Sequence, residues 1–210
     1  MSETSGALGD LTVTDFLERL SSKAPVPGGG AVAGVANAIA AGLGGMVIAY
    51  SLGKKSLAAH QTMLSESAGT LETLRTLSMQ QADADAAAYG CLNALWGRPE
   101  DDPERVDGFQ DAVRGAIAAP GSIMETSSRI LEVLKRLPGR SAPHLGSDLA
   151  IAIETATLGA RAAERNVTVN LPMITDVEER QTLDEKFGAL GLEIDSQARS
   201  SMEAMNSTAE

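Results

Sequence analysis

Apolar residues recur three and four positions apart along nearly the whole chain, and no segment alternates apolar and polar residues in the rhythm of a half-buried strand. Phe16, Leu17 and Leu20 share one face after Thr12 and Thr14, either of which can cap a helix that ends near Ser22, ahead of Pro25 and Pro27. Pro25-Val26-Pro27-Gly28-Gly29-Gly30 then predicts a loop, because proline restricts the residue before it and three glycines release the backbone. From about Ala31 to Leu52 small residues recur at Gly34, Ala38, Gly42 and Gly45 or Met46. That spacing predicts a helix with a smooth face, fit for the centre of a bundle or for a subunit interface.

Ser56 to about Trp96 contains no proline and reads as one very long helix or two nearly collinear ones, with Leu57, Leu64, Leu71, Leu74 and Leu77 as its apolar stripe. After the polar loop Gly97 to Pro103, helices are predicted from about Glu104 to Ala118 and from about Pro120 to Leu137, with Pro120 in a new first turn. Pro138 to Pro143 forms a second loop. Ser147 then caps a helix from Asp148 to about Asn166, and a last helix starts near Val177. The expectation is an all-α helical bundle with long helices, one domain over residues 1–210 with residues 1–10 as a frayed tail, self-associating through helix packing.

Composition narrows this. Hydrophobic residues make up 43% of the 210 positions but aromatics only 3%, so the core is built from Ala, Leu, Ile, Val and Met. A net charge of −11 gives no basic footprint for nucleic acid or an anionic membrane surface. Residues 24–53 carry no charge and would satisfy a length test for a membrane span, but eight glycines with Asn37 and Ser51 make them too polar, and a buried helix is expected. Cys91 is the only cysteine, and with just His60 and His144 beside it neither a disulfide nor a common zinc set is expected. No basic segment opens the chain, so a cytoplasmic protein is expected.

Three places exceed what a plain bundle needs. Pro27-Gly28-Gly29-Gly30 leads into a helix whose free N–H groups could hold a carboxylate or carbonyl, and it lacks the spacing of a nucleotide-binding fingerprint. Gln80 to Tyr89 carries Asp83 and Asp85, which point about 200° apart on a helix, so one cleft receives at most one of them directly. Asp85 and Tyr89 share a face. Gly146-Ser147-Asp148 and Asn166-Val167-Thr168-Val169-Asn170 flank one helix, and capping accounts for all their polar residues except Asn170.

The same places carry a family resemblance. Val13-Thr14-Asp15-Phe16-Leu17, Pro25 to Ala33, Met46, Gly53-Lys54-Lys55, Asp83 to Tyr89, Ser147-Asp148 and Asn166 to Leu171 occur in an order that resembles the formiminotetrahydrofolate cyclodeaminase and methenyltetrahydrofolate cyclohydrolase family. The resemblance implies an all-helical homodimer or higher assembly and a tetrahydrofolate substrate held between the glycine loop and the aspartate-bearing helix. It places Pro27, Gly28, Gly29 and Gly30 at the pterin and gives Asp83 or Asp85 the catalytic role, Asp85 being preferred for its shared face with Tyr89. Lys54, Ser147, Asp148, Asn166 and Asn170 become cleft candidates. Where the family pattern has a Leu-Thr pair before Gly-Lys, this chain has Tyr50-Ser51-Leu52-Gly53-Lys54. Tyr50 and Lys54 therefore share a helix face, a pairing that unrelated methylenetetrahydrofolate dehydrogenase/cyclohydrolases also use, which is analogy across folds.

The activity expected from the resemblance is hydrolysis of 5,10-methenyltetrahydrofolate to 10-formyltetrahydrofolate, with Asp85 or Asp83 as base, Lys54 steadying the tetrahedral oxygen, and no metal or resident cofactor. The alternatives are ammonia-releasing cyclodeamination of 5-formiminotetrahydrofolate and non-catalytic folate binding; the chain has no room for a formiminotransferase domain, which favours the hydrolase. Lys55, Arg136 and Arg140 are the candidates to meet a polyglutamylated tail.

Overall fold

Thr12 caps the first helix. Its hydroxyl oxygen accepts a hydrogen bond from the Asp15 N–H at 3.1 Å, and α1 runs Val13–Ser21. The computed structural model describes residues 6–207, and among these every regular element is helical. After α1 come α2 (Gly29–Ala49), α3 (Gln61–Trp96), α4 (Pro103–Leu134), α5 (Gly146–Asn170) and α6 (Val177–Ser207). The long stretch after Leu52 divides into a 3-10 segment, Lys55–His60, and α3.

α2 is the central helix, packed on α3 and α5 along its length and on α4 across the bundle. It is long and apolar enough to cross a membrane by composition, yet most of its residues are buried among the other helices. Its one amide shows the reason for burial in a bundle: Asn37 Nδ2 donates to the Ile123 carbonyl of α4 at 3.0 Å, and its Oδ1 accepts from Ser127 Oγ at 2.9 Å. Only the first half of the small-residue face is spent inside the subunit, since Gly42, Gly45 and Met46 are partly exposed and a Cβ on Gly45 would meet nothing within 4 Å. A Cβ on Gly34 would stand 2.8 Å from the Ala82 Cβ of α3, and Ala38 is buried. The outer face of α2 carries Ile39, 56% exposed, with Gly42 and Met46 partly exposed beside it.

Three expectations need correction. Residues Leu8–Asp10 are a 3-10 turn and not part of a frayed tail: Leu8 is buried against Ala31 and Ala82, and its N–H donates to Asp83 Oδ1 at 2.8 Å. Residues 1–5 lie outside the described residues. The predicted break before Pro120 is absent, and α4 runs unbroken through it. A proline inside a helix costs about 3 kcal/mol, but Ala116, Ile117, Pro120, Ile123 and Met124 are all buried, and packing on both sides holds the helix in register. Finally, Ser147 caps nothing. The 3-10 turn Pro143–Leu145 feeds directly into α5, which continues past Asn166 to Asn170, and the Asn166 Nδ2 turns back onto the Ala162 carbonyl at 2.9 Å.

Candidate functional site

Gly28 is the N-cap of α2, so the N–H groups of the first turn of that helix have no intrahelical partner and point out of its end. Asp85 of α3 stands beside them. The approach is so close that a Cβ on Gly30 would overlap the Asp85 carboxyl group, so only glycine lets the helix end and the carboxyl share this space. The end of α5 closes the opposite side, and Ala116 of α4 forms part of the wall. Together Pro25, Val26, Gly28, Gly29, Gly30, Asp85, Tyr89, Ala116, Asn166, Val169 and Asn170 line a cavity of about 290 Å³. That is at the small end of ligand pockets, suited to a flat ring system whose remainder projects outward.

Asp85 is only 9% exposed and, among the described residues, has no hydrogen-bond partner. Burial pushes its pKa up from 3.8 to about 6. A carboxyl poised there is mostly ionised at neutral pH and accepts a proton readily, which suits a general base. Among the described residues it is the only carboxylate lining the cavity. A cation placed beside it would recover the electrostatic energy that burial removes.

The α5 wall is made of two amides with settled orientations. Asn170 Nδ2 donates to the Ala116 carbonyl at 2.9 Å and Asn166 Nδ2 to the Ala162 carbonyl at 2.9 Å. A carbonyl only accepts, so in both residues one N–H of the amide nitrogen is engaged and the oxygen is left as an open acceptor. The site thus presents backbone donors from the end of α2 and acceptors from Asp85, Asn166 and Asn170.

Asp83 is elsewhere. It faces the opposite side of α3, holds the Leu8 N–H, and borders a neighbouring cavity with Pro27 and Arg19; Val26 lines both cavities. Pro27 itself is buried behind the loop, not in the cleft wall.

Comparison with known proteins gives this geometry its setting. The Formiminotransferase-cyclodeaminase family model matches residues 12–189. The chain belongs to that family. It is 30% identical over 173 residues to a methenyltetrahydrofolate cyclohydrolase of Methylorubrum extorquens, covering 80% of this chain and 83% of that one. It is 26% identical over 196 residues to the mouse formimidoyltransferase-cyclodeaminase, covering 91% of this chain but only 36% of the mouse protein, so it spans about a third of that relative's length. The fold matches the crystal structure of formiminotetrahydrofolate cyclodeaminase from Thermotoga maritima with a TM-score of 0.88 at 21% identity, over 96% of this chain and 99% of that one.

The family motifs fall at two ends of the bundle. Gly28 to Gly30, Asp85, Tyr89, Asn166 and Asn170 meet in the cleft. Tyr50 and Lys54 follow the far end of α2, roughly 30 Å away by helix rise. Ser147 and Asp148 start α5 at that same far end, where the Tyr50 and His144 rings meet edge to face at 6.5 Å. Lys55, Arg136 and Arg140 are there too, with Arg136 3.9 Å from Glu66. In a single subunit none of these reaches Asp85, because α2 and α5 run antiparallel and separate the ends of their own motifs. Pro25, Val26 and Val169 line the cleft beside the motif residues quoted with them, and Ala116 lines it without having been singled out from sequence. Apolar wall residues leave no chemical signature, and Pro120, read from sequence as the first turn of a new helix, pointed to a freed carbonyl at Ala116 only once α4 proved continuous.

Proposed function

We propose that the protein is a methenyltetrahydrofolate cyclohydrolase of one-carbon metabolism that hydrolyses 5,10-methenyltetrahydrofolate to 10-formyltetrahydrofolate. The observation that carries this reading is the unpartnered, buried Asp85 carboxyl at the mouth of α2, in a cavity sized for a ring system. The one-carbon bridge of the substrate is a cationic amidinium, which an otherwise uncompensated carboxylate attracts. As water adds to the bridge carbon, its proton passes to Asp85 and the amidinium π pair returns to nitrogen. The tetrahedral carbinol then collapses: its O–H pair forms the formyl carbonyl, releasing a proton to solvent, and the bond to N5 breaks as N5 takes the proton from Asp85. Water enters, one proton leaves, and Asp85 is regenerated as carboxylate. The free N–H groups of the first turn of α2 are placed to steady the oxygen in the role first expected of Lys54. No resident cofactor takes part.

A second reading is favoured by the same pKa. A carboxyl that titrates near 6 retains a protonated fraction able to protonate departing ammonia, as cyclodeamination of 5-formiminotetrahydrofolate requires. The deciding experiment follows the methenyl absorbance in the presence of protein beside an ammonia assay on formiminotetrahydrofolate. Enzyme-dependent loss of absorbance supports hydrolysis, and ammonia release with rising absorbance supports the second reading. Neither signal would reduce the protein to a folate binder.

The reading includes a cytoplasmic homodimer or higher assembly acting on folates that include polyglutamylated forms. Its support is the uncharged outer face of α2 with exposed Ile39, together with Ile151 and Leu158 on α5, which are 51% and 60% exposed. Two copies packed through this face with their α2 helices antiparallel would set the Tyr50 to Lys55 end of one beside the cleft of the other.

A further inference from the structure

In an α-helix the N–H of residue 120 would donate to the carbonyl of residue 116. Proline has no N–H, so within the continuous α4 the Ala116 carbonyl is left without its helical donor. A buried carbonyl in that state requires another partner, and Asn170 Nδ2 supplies it at 2.9 Å across the contact between α4 and α5. The bond decides which way the amide faces, nitrogen to Ala116 and oxygen away. Asn170 is 7% exposed, lines the Asp85 cavity, and its Oδ1 receives no hydrogen bond among the described residues. The oxygen is the end that a ligand meets.

We propose that Pro120 is a positioning residue of the cleft, freeing the Ala116 carbonyl so that Asn170 is held with its oxygen toward the ligand. This explains why a helix-breaking residue sits in the middle of a buried helix that gains nothing in stability from it. With Asn166 bonded the same way to Ala162, each amide of the α5 wall has one N–H fixed to a backbone carbonyl and its oxygen left as an open acceptor. Such a wall favours N–H edges and cationic centres and disfavours carbonyl oxygens. On the folate reading, from which the kinetic test borrows its ligands, it favours the methenyl cation over a neutral formyl group. An Asn170 amide free to turn over would present its NH₂ group instead and blur that discrimination.

In Pro120→Ala the restored N–H competes for the Ala116 carbonyl. The KM for 5,10-methenyltetrahydrofolate should rise about 3- to 10-fold, the effect of weakening one hydrogen bond. The inhibition constant of 5-formyltetrahydrofolate should not rise, and the melting temperature should hold or increase. The KM effect should vanish when Pro120→Ala is made in an Asn170→Ala background, since the two act through one bond. A ligand-free readout stands apart from the folate reading: the Asn170 side-chain amide protons should exchange slowly in the wild-type protein and faster in Pro120→Ala. An unchanged KM with unchanged amide exchange overturns the proposal. So does a joint rise of KM and inhibition constant with a lower melting temperature, or a KM effect that persists without Asn170. Slow wild-type exchange lost in Pro120→Ala, in a protein that turns over no methenyl folate, sinks the folate reading and leaves the positioning role standing.

Discussion

Gly30 and Asp85 exclude any side chain between them: the α-carbon of the one lies so near the carboxyl of the other that a single added methyl group would occupy the same space. The contact joins the start of α2 to the middle of α3, and it buries the one carboxylate that lines the cleft. Gly30→Ala should therefore push Asp85 out of place. A drop of about 100-fold or more in kcat/KM is expected, comparable to losing a positioned base, with a stability cost on the order of 1–3 kcal/mol from overpacking. Urea titration and turnover of one preparation check both, and a fully active Gly30→Ala would show that the carboxyl need not sit where it does.

Asp85→Asn keeps the shape and removes the base, so turnover should fall by about 10²- to 10⁴-fold. Its stability should move the other way. The folded state binds the Asp85 proton more tightly than the unfolded chain, because burial raises the pKa from 3.8 to about 6. That contribution to stability is complete below about pH 4 and is lost as pH rises through about 6. Asp85→Asn should thus be more stable than wild type at pH 7 to 8 by on the order of 2 kcal/mol, with the advantage fading toward about pH 4. Denaturation curves at the two ends of that range decide it.

The same titration sets the pH profile of the wild-type reaction. With Asp85 as base in the free protein, kcat/KM for methenyl hydrolysis should climb through about pH 6 and level off above it, once the background hydrolysis is subtracted. A profile with the opposite slope near 6 would assign the group as an acid and favour cyclodeamination.

Asp83→Asn offers a contrast on the same helix. Asp83 Oδ1 accepts the Leu8 N–H and ties the segment before α1 to α3. Weakening that bond should cost about 1 kcal/mol and loosen residues near Leu8 in hydrogen exchange, while methenyl turnover stays within a few-fold of wild type. Abolished turnover with an intact fold would move the catalytic role to Asp83.

Ile39→Glu tests the assembly. A charge placed on the outer face of α2 should cost nothing in a monomer and should split a dimer packed through that face, which light scattering at micromolar concentration reads directly. If the variant and the wild type have the same mass, the face is not the interface.

Much of this was legible in the residues alone. The helical spacing of Leu64, Leu71 and Leu74, seven and three positions apart, the scarcity of aromatics and the polar breaks after Trp96 and Leu137 are local properties, and they specify an all-helical chain wherever its helices pack. The 100° step per residue was enough to place Asp83 and Asp85 on different faces. The sequence could not say which face meets the glycine loop, because that depends on how α3 lies against α2, a relation between residues more than fifty positions apart. The same holds for Pro120, whose local preference is to start a helix; only packing on both sides of α4 keeps it inside one, and only the neighbouring α5 gives its freed carbonyl a use. It holds as well for Tyr50, Lys54, Ser147 and Asp148, which follow the motif order of the cleft residues but stand at the far end of the bundle. Order along the chain carries over to a helical fold, whereas distance does not, since each long rigid helix moves its two ends roughly 30 Å or more apart.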